Sequence, residues 1–106
     1  MNSKNYTVVI TDSAYQDLRD ISNYISKDLL DPEKAKEVIR KIANNISTLE
    51  QMPKRNPIVK DERLALSGIR TLFVVGHIVF YNLDKSSSFV IIIRILYKRK
   101  NWVELL

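Results

Sequence analysis

The chain holds a single histidine, His77, and a run of three basic residues, Lys98-Arg99-Lys100, with Trp102 two places beyond. Tyr97 and Arg94 stand just ahead of that run, Arg70 lies 24 residues before Arg94, and Glu104 follows near the end. These are side chains suited to phosphate chemistry. Cutting RNA without a metal requires a base for the 2′-hydroxyl, an acid for the leaving oxygen and cations for the phosphate. Arg70, Arg94, Lys98, Arg99 and Lys100 are the candidate cations, and His77, Tyr97 and Glu104 the candidate proton carriers. Basic groups beside an aromatic equally suit binding without cleavage, either of a nucleic-acid strand whose bases stack on the ring or of an acidic protein segment. The chain has no cysteine, which excludes thiol catalysis, disulfides and zinc–thiolate sites. No metal or cofactor is expected.

Each candidate also has a plain structural reading. His77 follows Gly76, where a turn residue bonds to nearby backbone. Arg94 sits inside an apolar strand, so it must reach solvent or a carboxylate, because burial without a partner costs several kcal/mol (roughly 3–5). Tyr97 either finishes a sheet core or stacks on a base, and the core is the reading the pattern favours. Whether Arg70 and Arg94 meet depends on sheet register. The basic run is otherwise a solvated tail.

The elements that must position these groups can be read from the apolar pattern. Tyr6, Val8 and Ile10 alternate with Thr7, Val9 and Thr11, a short strand over 5–10. Thr11 or Asp12 can cap a helix, on which Ala14, Leu18, Ile21, Ile25 and Leu29 form one stripe. Asp31 and Pro32 suit the cap and first position of a second helix, whose stripe is Ala35, Val38, Ile39, Ile42, Ile46 and Leu49. The short link makes the helices an antiparallel hairpin. Residues 53–68 read as a loop with a short helical turn near Asp61 to Leu66. Three strands follow, Arg70–Val75, His77–Leu83 and Ser88–Leu96, with turns at Gly76-His77 and Asp84–Ser87. The expected fold is α+β: an antiparallel β-sheet with an N-terminal strand, and a two-helix hairpin packed on one face, in the order β-α-α-β-β-β. The place of the first strand in the sheet stays open. With 106 residues, one domain over 1–106 is expected.

Charge is uneven. Residues 1–53 carry seven Lys and Arg against eight Asp and Glu, and residues 54–106 carry ten against four, within a net charge of +5. A basic second half suggests a polyanionic partner. No apolar run approaches the roughly 20 residues of a membrane span, and Met1-Asn2-Ser3-Lys4 lacks the apolar segment of a signal peptide. A cytoplasmic protein is expected.

The order of elements, with Gly68-Ile69-Arg70, Gly76-His77-Ile78-Val79-Phe80-Tyr81 and Ile93-Arg94-Ile95-Leu96-Tyr97, resembles the RelE/ParE toxin superfamily, nearest its ParE branch. The resemblance runs from Tyr6 to about Trp102. It implies a bacterial toxin of a type II toxin–antitoxin system, causing growth arrest or plasmid stabilisation and neutralised by a cognate antitoxin that wraps it with an extended or helical segment. ParE-type toxins poison DNA gyrase. RelE-type toxins cut messenger RNA on the ribosome without metal, for which Arg70, Arg94, Tyr97 and Arg99 are the catalytic candidates. Family ribonucleases place an Arg where this chain has Ile78 and an acid where it has Leu96, which favours a gyrase poison over a ribonuclease. For target or nucleic-acid binding the candidates are Arg70, Arg94, Lys98, Arg99, Lys100 and Trp102. A small basic RNA-binding module is the reading left if the resemblance is set aside.

Overall fold

The computed structural model describes residues 5–84 and 86–106, so the expectation for Met1 to Lys4 lies outside the described residues. Strand β1 (Thr7–Ile10) leads into helix α1 (Asp12–Asn23). Thr11 is the cap: its hydroxyl accepts from the Ala14 N–H at 3.2 Å and donates to the Ile92 carbonyl at 2.8 Å. One side chain thus starts the helix and ties it to the sheet. After Asn23 the helix widens into a π-helical turn, Tyr24–Asp28. That turn keeps Ile25 in the core but swings Leu29 out to half exposure, so the predicted stripe loses its last member. Leu30, with φ of 54°, reverses the chain, and Asp31 caps helix α2 (Pro32–Ser47) by accepting from the Lys34 N–H at 3.0 Å.

Two short 3₁₀ turns, Thr48–Glu50 and Pro53–Arg55, and a single helical turn, α3 (Glu62–Ala65), fill the connection to the meander. The meander is β2 (Arg70–Val74), β3 (His77–Asp84) and β4 (Phe89–Tyr97). The first hairpin turn is Val75-Gly76 rather than Gly76-His77, with both residues at positive φ, 46° and 79°. That is the backbone of a two-residue turn matched to strand twist. The second predicted turn spans Lys85, which lies outside the described residues; beside it, the Asp84 carboxylate accepts from the Ser86 and Ser87 hydroxyls.

The sheet order is β1-β4-β3-β2. The meander is antiparallel, but β1 runs parallel to β4, with Thr7 opposite Phe89 and Ile10 opposite Ile92. The expectation of a wholly antiparallel sheet is therefore corrected to a mixed one. Only strands joined by tight turns are forced to be antiparallel, and β1 reaches β4 through the helical hairpin and two intervening strands.

Both faces of the sheet are covered. The helical hairpin lies on one, where Ala14, Ile25, Val38, Ile42 and Ile46 meet Val79, Tyr81, Val90, Ile92 and Ile95. On the other, Ile78, Phe80 and Leu96 are closed over by Val59 and Ile69 from the loop and by Trp102 and Leu106 from the C-terminal turn, Trp102–Leu105. Tyr81, fully buried, fixes the loop to the first core by donating its hydroxyl proton to the Pro53 carbonyl. Among the described residues no helix is long and apolar enough to cross a membrane.

Candidate functional site

Strand β4 outlasts its partner. Beyond Ile92 it has no β1 residue to bond, and its register against β3 slips, with Phe80 opposite Arg94 but Tyr81 opposite Ile92. This bulge frees Arg94 to leave the plane of the sheet. Its guanidinium meets Asp17 of α1 in a two-pronged ion pair, Nε to Oδ2 at 2.8 Å and Nη2 to Oδ1 at 2.8 Å. Asp17 Oδ2 also accepts from the Ile95 N–H at 2.9 Å. The carboxylate thereby does for the strand edge what β1 no longer can. Arg94 Nη1 donates to the Leu105 carbonyl at 3.0 Å, bringing the C-terminal turn into the same network. The Asp17 hydrogen bonds hold the guanidinium more firmly protonated than usual. Of the two fates open to Arg94 in the sequence, the carboxylate partner is the one realised.

Arg70 is engaged too. Its Nη1 donates to the Asn56 carbonyl at 2.6 Å and to the Lys54 carbonyl at 3.2 Å, pinning the loop after α2 to the start of β2. Arg70 faces Tyr81 and Arg94 faces Phe80, on strands separated by β3. The two arginines do not meet, and each is bound to its own structural partner.

At the turn end of the sheet His77 lies opposite Tyr97, ring centroids 5.8 Å apart and edge to face. His77 Nδ1 lies 3.0 Å from the Val75 carbonyl and, as that neighbour is an acceptor, carries the proton. This is the local bonding expected of a turn residue. Burial holds its pKa below the ordinary histidine value, with the Val75 hydrogen bond working against the shift. Tyr97 is 47% exposed, which corrects the expectation that it completes the core. It stands at the rim because β4 ends there. Lys98, Arg99 and Lys100 are exposed just beyond, and the Lys98 N–H donates to the Gly76 carbonyl at 3.0 Å. Trp102 turns away from them onto Phe80, with ring centroids 5.2 Å apart, so it is part of the second core and not a free platform for a base. Glu104 is exposed on the C-terminal turn, and Ile78 and Leu96 are buried core residues.

Between the helical hairpin and the end of the sheet runs an open groove of about 690 Å³. Its floor is Ile21, Ile25, Val38 and Ile95, and Tyr24, Leu29, Val75 and Tyr97 form its apolar rim. His77, Asp20, Lys34 and Lys100 add the polar points, and the Asp17–Arg94 pair supports one end. The groove can seat an amphipathic segment. It brings together His77, Tyr97 and Lys100, but not Arg70. Among the described residues no group of three acidic or histidine side chains is placed to hold a metal. Asp17 is not among the candidates that residue type and spacing point to, yet its position carries a signal. Asp17 falls three residues after Ala14 and one before Leu18, on the buried stripe of α1, where a carboxylate must have a partner.

Comparison with known proteins bears on the chain and its fold. A family model described as the ParE toxin of the type II toxin–antitoxin system parDE matches residues 8–102. Among solved structures, the chain is similar to one in the chromosomal ParDE toxin–antitoxin system from P. aeruginosa, at 23% identity over 90% of this chain and 98% of that one, with a TM-score of 0.73. It is also similar to a chain of the toxin–antitoxin complex RelBE2 from Mycobacterium tuberculosis, at 18% identity over 89% and 99%, with a TM-score of 0.66. No curated protein matches by sequence.

Proposed function

The chain belongs to the ParE toxin family of type II toxin–antitoxin systems, and from that premise we propose that it arrests bacterial growth by binding DNA gyrase and not by cutting RNA. In this reading residues 1–106 act as one toxin domain in the cytoplasm. A cognate antitoxin neutralises it by laying a helical or extended segment in the groove. The observation that carries the reading is the fate of the two strand arginines. Arg94 is matched by Asp17 and Arg70 by two loop carbonyls. A metal-free ribonuclease works chiefly through positioned charge on the phosphate, and neither strand guanidinium is free to supply it, which leaves Arg99, exposed beyond the end of β4, as the one arginine candidate still open. The groove itself is mostly apolar, a surface for a protein segment.

The test is induced expression in a bacterium without the antitoxin, followed by gyrase supercoiling and ribosome-bound mRNA cleavage assays. Growth arrest with lost supercoiling and intact mRNA is the expected result. Normal growth with abundant soluble protein counts against the toxin reading itself. One observation favours the ribonuclease alternative: His77, Tyr97 and Lys100 share the groove. His77→Ala decides it. Loss of toxicity together with loss of mRNA cleavage, in a variant that still folds and binds its antitoxin, overturns the gyrase reading.

A further inference from the structure

The rim of the groove at Val75 and Lys100 runs out to the tip of the sheet, where Phe73, Lys98 and Arg99 extend the exposed surface beyond the groove. Val75 is 47% exposed and Phe73 65% exposed, on either side of Val74, whose side chain enters the core. Val75 holds a φ of 46°. A β-branched residue in the left-handed region is an outlier, where Asn or Gly would sit with less strain. The conformation is nevertheless held from two sides, by the His77 Nδ1 bond to the Val75 carbonyl and by the Lys98 N–H bond to the Gly76 carbonyl, both 3.0 Å. The result is an exposed apolar side chain on a backbone turn tied at both of its carbonyls. Beside it stand Lys98, Arg99 and Lys100, and among the described residues none of the three is in an ion pair.

We propose that this tip, Phe73 and Val75 flanked by the Lys98–Lys100 run, is the surface through which the toxin grips its target, and that the target presents an acidic protein surface around an apolar depression. The inference rests on the toxin reading and adds to it the face used and the chemistry recognised. An apolar centre with a charged rim is the anatomy of a protein interface. Three unpaired cations select an acidic partner and speed encounter with it. An apolar side chain on a turn already tied down loses little freedom on docking. Nucleic acid is the weaker match. The rings beside the basic run are engaged, Trp102 with Phe80 and Tyr97 with His77, Val75 has no π-face, and Phe73 leaves the tip one exposed ring where a strand needs a platform for successive bases.

The experiment compares the unmodified chain with Val75→Asn, Phe73→Ser and the triple variant Lys98→Gln/Arg99→Gln/Lys100→Gln. Melting temperature, growth arrest, and fluorescence anisotropy against purified DNA gyrase and a short single-stranded oligonucleotide are measured for each. Val75→Asn relieves the turn, so it melts no lower than the unmodified chain. It should still bind gyrase at least about tenfold more weakly and fail to arrest growth, as expected of a central interface residue. Phe73→Ser should behave alike in binding, and the triple variant should bind slowly and lose salt dependence. If Val75→Asn and Phe73→Ser arrest growth at full potency, the proposal is overturned. The same holds if the oligonucleotide binds tightly and only the triple variant loses it. If the unmodified chain arrests growth without touching gyrase, the gyrase reading fails, and growth arrest by the variants alone decides the role of the tip. An unmodified chain that neither arrests growth nor binds either probe overturns both.

Discussion

Arg94 and the Lys98-Arg99-Lys100 run lie within seven residues of one another on the same stretch of chain, and their charges have opposite fates. The Arg94 side chain is 23% exposed, bound on both prongs by a carboxylate that is itself 6% exposed. The three cations after β4 are exposed and without an ion-pair partner among the described residues. The first charge is committed to holding α1, β4 and the C-terminal turn together. The others are available to a second molecule. A basic residue in a sequence therefore says little about function until its partner is known.

The sharpest way to break the contrast is Asp17→Ala. It strands a largely buried guanidinium and leaves the Ile95 N–H without an acceptor. A loss of about 3 kcal/mol is expected, at the low end for a buried pair because Arg94 keeps some contact with water. Urea denaturation measures it, and an unchanged midpoint would mean that the pair is ornamental. The double variant Asp17→Leu/Arg94→Met comes next. Removing both charges should recover much of that loss, with a residual deficit of roughly 1–2 kcal/mol for the unmet Ile95 N–H. Third, replacing Lys98, Arg99 and Lys100 by Gln should change stability by no more than about 0.5 kcal/mol. A large drop in the melting temperature of that variant would show that the run belongs to the structure after all.

The smallest effect concerns His77. Burial lowers its folded pKa below 6.5, so the native state prefers the neutral ring. Its contribution is full above the unfolded value and fades as pH falls through 6.5 toward the lower folded value, because the unfolded chain then binds the proton more readily. His77→Gln should flatten the stability profile as pH falls from 7 through 6.5. A slope of the same size in both proteins would place the titration elsewhere.

Much of the fold could be read from local pattern. The Thr11 and Asp31 caps, the two helical stripes and the meander depend on residues near one another in sequence. What could not be read depends on distant pairing. The direction of β1 is set by its register with β4, which no neighbouring residue encodes. Closure of the second face by the loop and the C-terminal turn is likewise a long-range event. The site was partly legible. Arg94 was rightly expected to need solvent or a carboxylate, but its partner lies 77 residues away in sequence. Tyr97 is exposed and not in the core, which periodicity does not reveal, because it says which face a residue takes, not where the covering helices stop. The groove rim at Tyr24 and Leu29 was hidden by the π-helical turn, which breaks the helical spacing that would have revealed it.

The parallel pairing of β1 with β4 has a consequence for synthesis on the ribosome. The strand at the centre of the sheet, which both β1 and β3 need, is the last of the four to be made. Thr7 waits for Phe89, a delay of roughly 4–16 s at translation rates of about 5–20 residues per second. Until then β1 has no partner, Asp17 has no arginine, and neither the groove nor the tip has its second wall. A chain stopped short of β4 lacks the strand that joins the two ends of the sheet, so the order of the strands itself sets the earliest moment at which the fold can close.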